Sequence, residues 1–434
     1  MRFYDREEEL EILRKNKEMS KKAGMFTVIT GRRRIGKTTL IKESESGGRF
    51  LYLFVPRSSE SLLCEQLVKN AEEDLNINLF DTGRFRDLFE QLLIYGEKNN
   101  FTFVIDEFQD LKRMNGSAMS SIQELWDRYK KSSKMNLIVC GSVYSMMTEI
   151  FENEKEPLFG RATSKMNIAP FRPSVVKTIL KEHNPDFVPD DLLFLYMVSG
   201  GVPKYIELLM DAGAVTLRDM LNSVCSMDSQ FTTDGKDRLV SEFGTDHGIY
   251  FSILQMIAGG KNTLSEISSA IGKEAGAYLD NLEKKYGLIR KNRPLFSESG
   301  SRNVRWRISD NYLRFYFRFM NSNISLIELR RYDILKERIL FEYESYSGSV
   351  LEDYFREKTA EEERITEIGA YWDRKGQNEI DMIVLNDMDM NATAVEIKRD
   401  RRRGNAERLK EKTERIRELK DYDVTHKILS LDDM

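Results

Sequence analysis

The chain has 434 residues, and its 67 lysines and arginines nearly balance its 71 aspartates and glutamates. The formal net charge of −4 excludes a uniformly basic protein that coats nucleic acid, while local basic patches stay compatible with it. Hydrophobic residues make up 41% of the chain, which excludes wholesale disorder and suits about three folded domains. The sequence contains no apolar run near the roughly 18 residues of a membrane span, so no membrane partner is expected.

Cysteine and histidine are both scarce. The three cysteines are far apart in the sequence, which is typical of a reduced cytoplasm and of neither a disulfide framework nor a zinc site. The three histidines are equally scattered, so a histidine metal site and a Ser-His-Asp triad are disfavoured. The N-terminus is charged from its second residue and does not resemble a secretory signal. We therefore expect a cytoplasmic protein.

Residues 1–172 alternate short apolar runs with helical patterns. The strand candidates are residues 26–30, 50–54, 101–105 and 137–140. Short buried strands that alternate with helices predict a parallel sheet with helices on its faces. We therefore expect this segment to form one α/β domain.

Two regions without long strand signals follow. Residues 173–240 are helical and interrupted at residues 200–203, which predicts a helical lid. Residues 241–325 contain two helical patterns, a capping-box pattern at Thr263 and Glu266, and two short alternating strands. Helices followed by a two-stranded β-wing predict a winged helix. Its helix candidates are residues 249–258, a second helix that opens at Thr263, and residues 275–286. Its strand candidates are residues 288–291 and 304–308.

Residues 326–434 form the last predicted unit. It begins with a helix candidate, continues with three strand candidates and ends with a charged helix. These elements are predicted at residues 349–359, 365–371, 381–385, 392–397 and about 405–420. The order predicts a second α/β domain.

Residues 31–38 fit the pattern G-x-x-x-x-G-K-[ST], directly after a strand candidate and before a helix. Its glycines let the backbone turn tightly and point amides at phosphate oxygens, and the helix N-terminus adds its positive end. We expect Lys37 to reach the β- and γ-phosphates of ATP and Thr38 to ligate Mg²⁺. The expected ATP-binding residues are Gly31, Arg32, Arg33, Arg34, Ile35, Gly36, Lys37, Thr38 and Thr39.

Acidic and polar residues follow two later strand candidates. Asp106 and Glu107 end the strand at 101–105, where Asp106 is expected to bind Mg²⁺ and Glu107 to polarise the attacking water. Ser142, after the next strand, is a candidate sensor of the γ-phosphate, or else part of a simple Gly-Ser turn. Arg161 is placed to reach a phosphate in its own or a neighbouring subunit, or else is a solvated surface arginine.

These motifs resemble the prokaryotic AAA-type ATPase family found mainly in archaea, whose relatives include origin-recognition and STAND signalling ATPases. The matching pieces are residues 3–7, 9–10, 31–38, 106–107, 141–142 and 201–203. The resemblance implies that residues 5–7 and Pro203 flank the adenine of ATP. It also implies that the turn at residues 201–203 lies in the helical lid and responds to the bound nucleotide.

The predicted wing is basic. Its six basic residues stand against one acid, Glu298, and a wing of this charge suits contacts with DNA phosphates. The alternative is a winged helix used only for packing or oligomerisation. The basic residues are Arg290, Lys291, Arg293, Arg302, Arg305 and Arg307. The aromatic run at residues 311–319 is predicted to be core.

Two carboxylates and a lysine define a candidate site near the C-terminus. A symmetric antiparallel hairpin between the runs at 381–385 and 392–397 places Asp381 opposite Glu396, with Lys398 on the same face. Such a group suits Mg²⁺-assisted phosphodiester cleavage, because the metal activates water and the lysine stabilises developing charge. Asp381 and Glu396 are the expected metal ligands. Glu352 and Glu379 are further candidates.

This segment resembles the PD-(D/E)XK nuclease fold, and also a C-terminal domain of unknown function often fused to these ATPases. The resemblance implies a restriction-endonuclease-like α/β domain at residues 326–434, with Asp381, Glu396 and Lys398 as catalytic residues. The alternative is a nuclease-like fold that binds or packs without cleaving. The neighbouring basic residues 398–399 and 401–403 attract a phosphate backbone, or are a solvated face.

Together these features predict a P-loop ATPase with a helical lid, a winged helix and a nuclease-like domain. ATP and Mg²⁺ are the expected cofactors, with Lys37 and Glu107 as catalytic residues. DNA is the expected target, and homo-oligomers are a further expectation. The alternative function is a nucleotide-gated switch whose C-terminal domain binds without cleaving.

Overall fold

The computed structural model describes residues 1–48, 50–243, 247–298, 300–301, 303–362 and 364–434, without the side chains of Arg238 and Ser241. These residues form two compact units. The first comprises residues 4–169, and the second comprises residues 1–3 and 170–434.

The first unit is a sheet of five parallel strands in the order β2-β3-β4-β1-β5, with helices between them. Strands β1, β3 and β4 are runs of apolar and β-branched residues buried on both faces, as the parallel arrangement requires. The elements are α1 (Glu7–Ser20), β1 (Met25–Thr30), α2 (Lys37–Ser44), β2 (Phe50–Phe54), α3 (Glu60–Leu75), α4 (Phe85–Lys98), β3 (Phe101–Asp106), α5 (Gln109–Met114), α6 (Ala118–Tyr129), β4 (Met135–Cys140), α7 (Tyr144–Glu152) and β5 (Ser164–Asn167).

The four strands predicted from the sequence are present, and β5 is a fifth that the sequence analysis did not identify. Their order matters for function, because parallel strands bring their carboxyl ends to one edge of the sheet. β1 lies beside β4, and β4 lies beside β3, so the loop after β1 and the acids after β3 emerge at the same edge.

The second unit begins with helices. Proline is the first residue of α8, α9 and α10, where its missing N–H is tolerated and its fixed φ suits a helix start. The helices are α8 (Pro173–His183), α9 (Pro189–Ser199), α10 (Pro203–Asp211), α11 (Leu217–Val224), α12 (Asp234–Phe243), α13 (His247–Ala258), α14 (Leu264–Ile271), α15 (Gly276–Asp280), α16 (Asn311–Phe315), α17 (Ile324–Glu328), α18 (Tyr332–Thr359) and α19 (Ala406–Glu414).

Two sheets complete this unit. β6 (Ile289–Asn292) and β7 (Arg305–Ile308) pair antiparallel, as predicted for the wing, and the predicted capping box begins α14 with reciprocal bonds between Thr263 and Glu266. The second sheet has the order β11-β10-β9-β8, from β8 (Glu367–Trp372), β9 (Glu379–Asn386), β10 (Asn391–Ile397) and β11 (Asp423–Leu429). The aromatic run at 311–319 is buried, as predicted.

The predicted ends of two helices in the last domain were wrong. The helix expected at 349–359 begins at Tyr332, because α18 continues through a charged stretch whose apolar positions are buried at helical spacing. The helix expected to reach residue 420 ends at Glu414, where Ile416 and Leu419 turn into the core of the sheet and β11 follows. Among the helices of the described residues, none has the length and apolar character needed to cross a membrane.

Candidate functional site

The loop between β1 and α2 has the backbone that its glycines predict. Gly31 has φ of 148° and Gly36 has φ of 89°, in the left-handed region that favours glycine. A Cβ on Gly31 would approach the carbonyl oxygen of Ile168 to 2.9 Å. Gly36 leads directly into the N-terminus of α2, and the N-terminus of a helix is a favourable site for a phosphate.

Lys37 is the first residue of α2, and its side chain is folded into the loop. Its Nζ donates hydrogen bonds to the carbonyl oxygens of Gly31 at 2.8 Å and of Arg32 at 3.0 Å. Ile35 is buried and anchors the loop, whereas Arg33 and Thr39 are exposed. The loop thus encloses the Lys37 ammonium group.

Asp106, at the end of β3, meets the other end of this loop. The Thr38 hydroxyl donates to Asp106 Oδ2 at 2.8 Å. The Glu107 backbone amide and the Cys140 thiol each donate to Oδ1 at 2.9 Å. A hydroxyl and a carboxylate brought together in this way are oxygen ligands of the kind that Mg²⁺ prefers, so these residues fit a magnesium site.

Two residues at this site were not identified from the sequence. The Tyr52 hydroxyl, on β2, donates to Asp106 Oδ2 at 2.7 Å, and Cys140 ends β4. Burial, with Asp106 as a second cause, raises the pKa of both Tyr52 and Cys140, so both keep their protons and act as donors. Only the strand order, with β2 and β4 on either side of β3, brings them to Asp106.

Glu107 is held by two side chains. The Ser142 hydroxyl lies 2.8 Å from both carboxylate oxygens of Glu107, and Gln109 Nε2 donates to Oε2 at 2.5 Å. Glu107 itself has φ of 54°, a strained conformation for a residue other than glycine. The structure therefore places Ser142, predicted as a phosphate sensor, in contact with the predicted base.

Two residues that were predicted to contact the nucleotide, Arg161 and Pro203, have other neighbours in the structure. Arg161 donates from Nε to Asp127 at 3.3 Å and from Nη1 to the carbonyl of Phe159 at 2.9 Å. Pro203 belongs to the second compact unit, where it begins α10. Contacts of Arg161 and Pro203 with a nucleotide stay predictions.

The C-terminal residues Asp381, Glu396 and Lys398 lie together. β9 and β10 pair antiparallel in the predicted register, with Met382 opposite Val395. Lys398 Nζ lies 2.9 Å from Asp381 Oδ2 and 3.5 Å from Glu396 Oε1. Burial opposes the charge on Lys398, but the two carboxylates prevail and raise its pKa.

Two further acids were candidates for this group. Burial, reinforced by Asp381, raises the pKa of Glu352 to about 7. Glu379 instead pairs with Arg305 at 2.7 Å. The described residues contain no group of three acids, histidines or cysteines at metal-holding spacing, and the Lys398 ammonium is the cation that Asp381 and Glu396 face.

Most of the basic residues of the wing form ion pairs with acidic residues of the same chain. Arg305 pairs with Glu379, and Arg307 pairs with Asp353. The other pairs are Arg290 with Asp353 at 3.6 Å and Lys291 with Glu283 at 2.8 Å. Arg293 is exposed, and Arg302 lies outside the described residues. Four of the six basic residues of the wing therefore have an acidic partner in the same chain, and Arg290 and Arg307 share one, Asp353.

Comparison with known families matches both halves of the chain. Residues 3–209 match the family described as an ATPase domain predominantly from Archaea. Residues 316–413 match a family described as Archaea bacterial proteins of unknown function. An uncharacterized protein of Methanocaldococcus jannaschii is 31% identical over 406 residues, which are 91% of this chain and 87% of that protein.

Two solved structures share the fold at low sequence identity. The Walker-type ATPase of Pyrococcus abyssi is 18% identical with a TM-score of 0.53, covering 73% of this chain and 96% of its own. The ORC2 protein of Aeropyrum pernix, in ADPNP–ADP complexes, is 14% identical with a TM-score of 0.50, covering 76% and 95%.

The parallel sheet, the glycine-rich loop and the carboxylate facing it define a P-loop nucleoside triphosphatase. Within that class, the chain belongs to the archaeal-type ATPase family represented by the Methanocaldococcus jannaschii protein, and it carries that family's ATPase domain together with the C-terminal domain of unknown function.

Proposed function

We propose that the protein binds ATP with Mg²⁺ at the loop of residues 31–38 and hydrolyses it. One observation carries this proposal: the Thr38 hydroxyl and the Asp106 carboxylate, 68 residues apart in the chain, meet at 2.8 Å beside the loop that encloses Lys37. A P-loop hydroxyl and a carboxylate from a neighbouring strand are the groups that hold Mg²⁺ in enzymes of this class.

Each residue then has one task. The loop amides and Lys37 bind the phosphate oxygens, and Thr38 and Asp106 hold Mg²⁺, which neutralises phosphate charge when bound. Glu107 accepts a proton from the attacking water as general base. Ser142 and Gln109 orient the Glu107 carboxylate, so they are positioning residues.

Two variants test the proposal. Lys37→Ala is expected to abolish binding of a fluorescent ATP analogue, and Glu107→Gln to keep binding but lose more than about a hundredfold in kcat, which is typical of a lost general base. Lys69→Ala, an exposed change on α3, is the control. Unchanged nucleotide affinity in Lys37→Ala contradicts the proposal.

For the second unit we propose a nuclease-like domain that acts on DNA. Support comes from the convergence of Asp381, Glu396 and Lys398, and from a long helix, α18, that precedes the mixed sheet. The exposed basic residues 401–403 follow the site directly. Asp381 and Glu396 would bind a divalent cation only after Lys398 moves from between them.

Cleavage is tested with Mg²⁺ or Mn²⁺ and labelled single- and double-stranded DNA. Nicking or degradation by the wild type that disappears in Asp381→Ala supports the proposal. Asp389→Ala, in the exposed turn after β9, is the matched control. Intact DNA under every condition leaves a domain that binds without cleaving.

A nucleotide-gated switch is the second candidate function. The ion pairs of the wing favour the switch, since Arg290, Lys291, Arg305 and Arg307 all have acidic partners in the chain. DNA that raises the ATPase rate several-fold supports the DNA-directed enzyme. Slow turnover insensitive to DNA, with a nucleotide-dependent change of oligomeric state in light scattering, supports the switch.

A further inference from the structure

A polar cavity of about 370 Å³ lies inside the second unit, bounded by β7, α18 and strands β8 and β9. Its volume falls in the range of small-molecule sites. The cavity is separate from the ATP-binding loop, which belongs to the other unit. Asp381 and Glu352 form one side of it.

Arginines also line this cavity. Arg307, Arg314 and Arg356 all line the cavity and all contact one buried carboxylate, Asp353. Three guanidinium groups around one carboxylate leave positive charge that Asp353 alone does not balance. Because these groups are shielded from water, an anion that enters the cavity is bound more strongly than at the surface.

Two polar groups in this wall have no hydrogen-bond partner among the described residues. They are the Tyr346 hydroxyl and Arg356 Nε, and both atoms are buried. Buried donors are almost always satisfied in folded proteins, so an unsatisfied pair beside a cavity indicates a ligand or water that completes them. Arg356 also donates to the carbonyl of Asp381 at 3.1 Å, which links the basic wall to the acidic one.

Aromatic and amide groups complete the lining. Trp306 and Trp372 line the cavity, each with a cation over one ring face, Lys291 at 4.7 Å and Arg305 at 4.5 Å, and Asn262 and Asn292 lie beside them. Indole faces suit a nucleobase, and amides suit its polar edge. The cavity thus combines the recognition elements of a base with those of a phosphate.

Resting on the DNA-directed function proposed above for this unit, we propose that the cavity binds a DNA nucleotide by its phosphate, with Tyr346 and Arg356 as donors to the phosphate oxygens. The ligand is a nucleoside 5′-monophosphate or the 5′-phosphorylated terminal nucleotide of a strand, which share this chemistry. Binding at this site requires neither ATP hydrolysis nor cleavage at Asp381.

The test is calorimetric titration of the full chain, with excess ADP and Mg²⁺ to occupy the ATP site. The probes are thymidine 5′-monophosphate and the 5′-phosphorylated thymidine dinucleotide, each against its unphosphorylated counterpart. Both phosphorylated probes are expected to bind and both counterparts to fail. Tighter binding of the dinucleotide identifies a strand end, and equal binding identifies the mononucleotide.

Two tyrosine variants locate the binding. Tyr346→Phe is expected to weaken the phosphorylated probes about tenfold, as a lost hydrogen bond to a charged group does, without lowering the Tm of the free protein. Tyr354→Phe is the control, since its hydroxyl, on the same helix, is also buried without a partner but lies outside the cavity lining. Failure of the wild type to bind either phosphorylated probe overturns the proposal. Unchanged affinity in Tyr346→Phe also overturns it.

Discussion

Tyr52 donates a hydrogen bond of 2.7 Å to Oδ2 of Asp106, the same oxygen that accepts the Thr38 hydroxyl. The phenol lies on the strand next to β3, so it fixes one orientation of the carboxylate before any metal binds. We therefore expect Tyr52 to be a positioning residue for the proposed magnesium site.

Tyr52→Phe is expected to raise the Mg²⁺ concentration for half-maximal ATPase activity about three- to tenfold, because the Asp106 carboxylate loses an orienting donor worth roughly 1 kcal/mol or more. Nucleotide affinity without metal should not change. A metal titration of ATPase activity measures the first effect, and analogue binding in a chelator measures the second. An equal loss of affinity in the chelator would indicate a general structural defect instead.

Ser142→Ala is expected to lower kcat about three- to tenfold and leave KM for ATP nearly unchanged. The Ser142 hydroxyl bonds both oxygens of Glu107, so its removal should loosen the proposed general base without touching the proposed phosphate-binding loop. Steady-state kinetics at saturating Mg²⁺ provide the measurement. A rise in KM with kcat preserved would place Ser142 on the γ-phosphate, as the sequence first suggested.

The central strands and the phosphate loop were predictable because their signals are local. β1, β3 and β4 are short apolar runs, and the loop carries its own glycines and lysine. Even the register of the β9–β10 hairpin followed from the symmetric spacing of its two runs about a polar turn. Such features depend on residues that are neighbours in the chain.

The features that sequence reasoning missed depend on the third dimension. β5 and β11 are strands at the edges of their sheets, so they bury fewer side chains and their sequences are polar. The partners of the wing arginines lie 46 residues away for Arg307 and 74 residues away for Arg305. A charge count along the chain therefore overstated the positive charge that the folded wing presents.

Asp353→Asn is expected to cost about 3–5 kcal/mol of unfolding free energy. The substitution removes a buried carboxylate that pairs with Arg307, Arg314 and Arg356, and uncompensated buried charge is expensive. Urea unfolding at neutral pH, followed by tryptophan fluorescence, measures the loss. Asp333→Asn, at the exposed start of the same helix, is the control and should change stability by less than about 0.5 kcal/mol.

The same carboxylate predicts a pH dependence. Burial raises the pKa of Asp353, but the arginines outweigh it and hold the pKa below its ordinary value of 3.8. A lowered pKa in the folded state means that this contribution is present above about pH 4 and is lost as the pH falls through the folded value. The stability difference between wild type and Asp353→Asn should therefore shrink below about pH 4. A constant difference from pH 7 to pH 3 would contradict this account.

Gly201→Ala is expected to destabilise the second unit by more than about 2 kcal/mol. Gly201 has φ of 73°, which costs an alanine about 1–2 kcal/mol, and an added Cβ would also collide with the carbonyl oxygen of Phe171. Gly213→Ala separates the two effects, because Gly213 has φ of 67° with no atom within 4 Å of an added Cβ. The loss of unfolding free energy in Gly213→Ala, measured by urea unfolding, should equal the cost of the left-handed backbone conformation alone. Equal losses in both variants would show that the close approach to Phe171 relaxes freely and that Gly201 is required only for its backbone conformation.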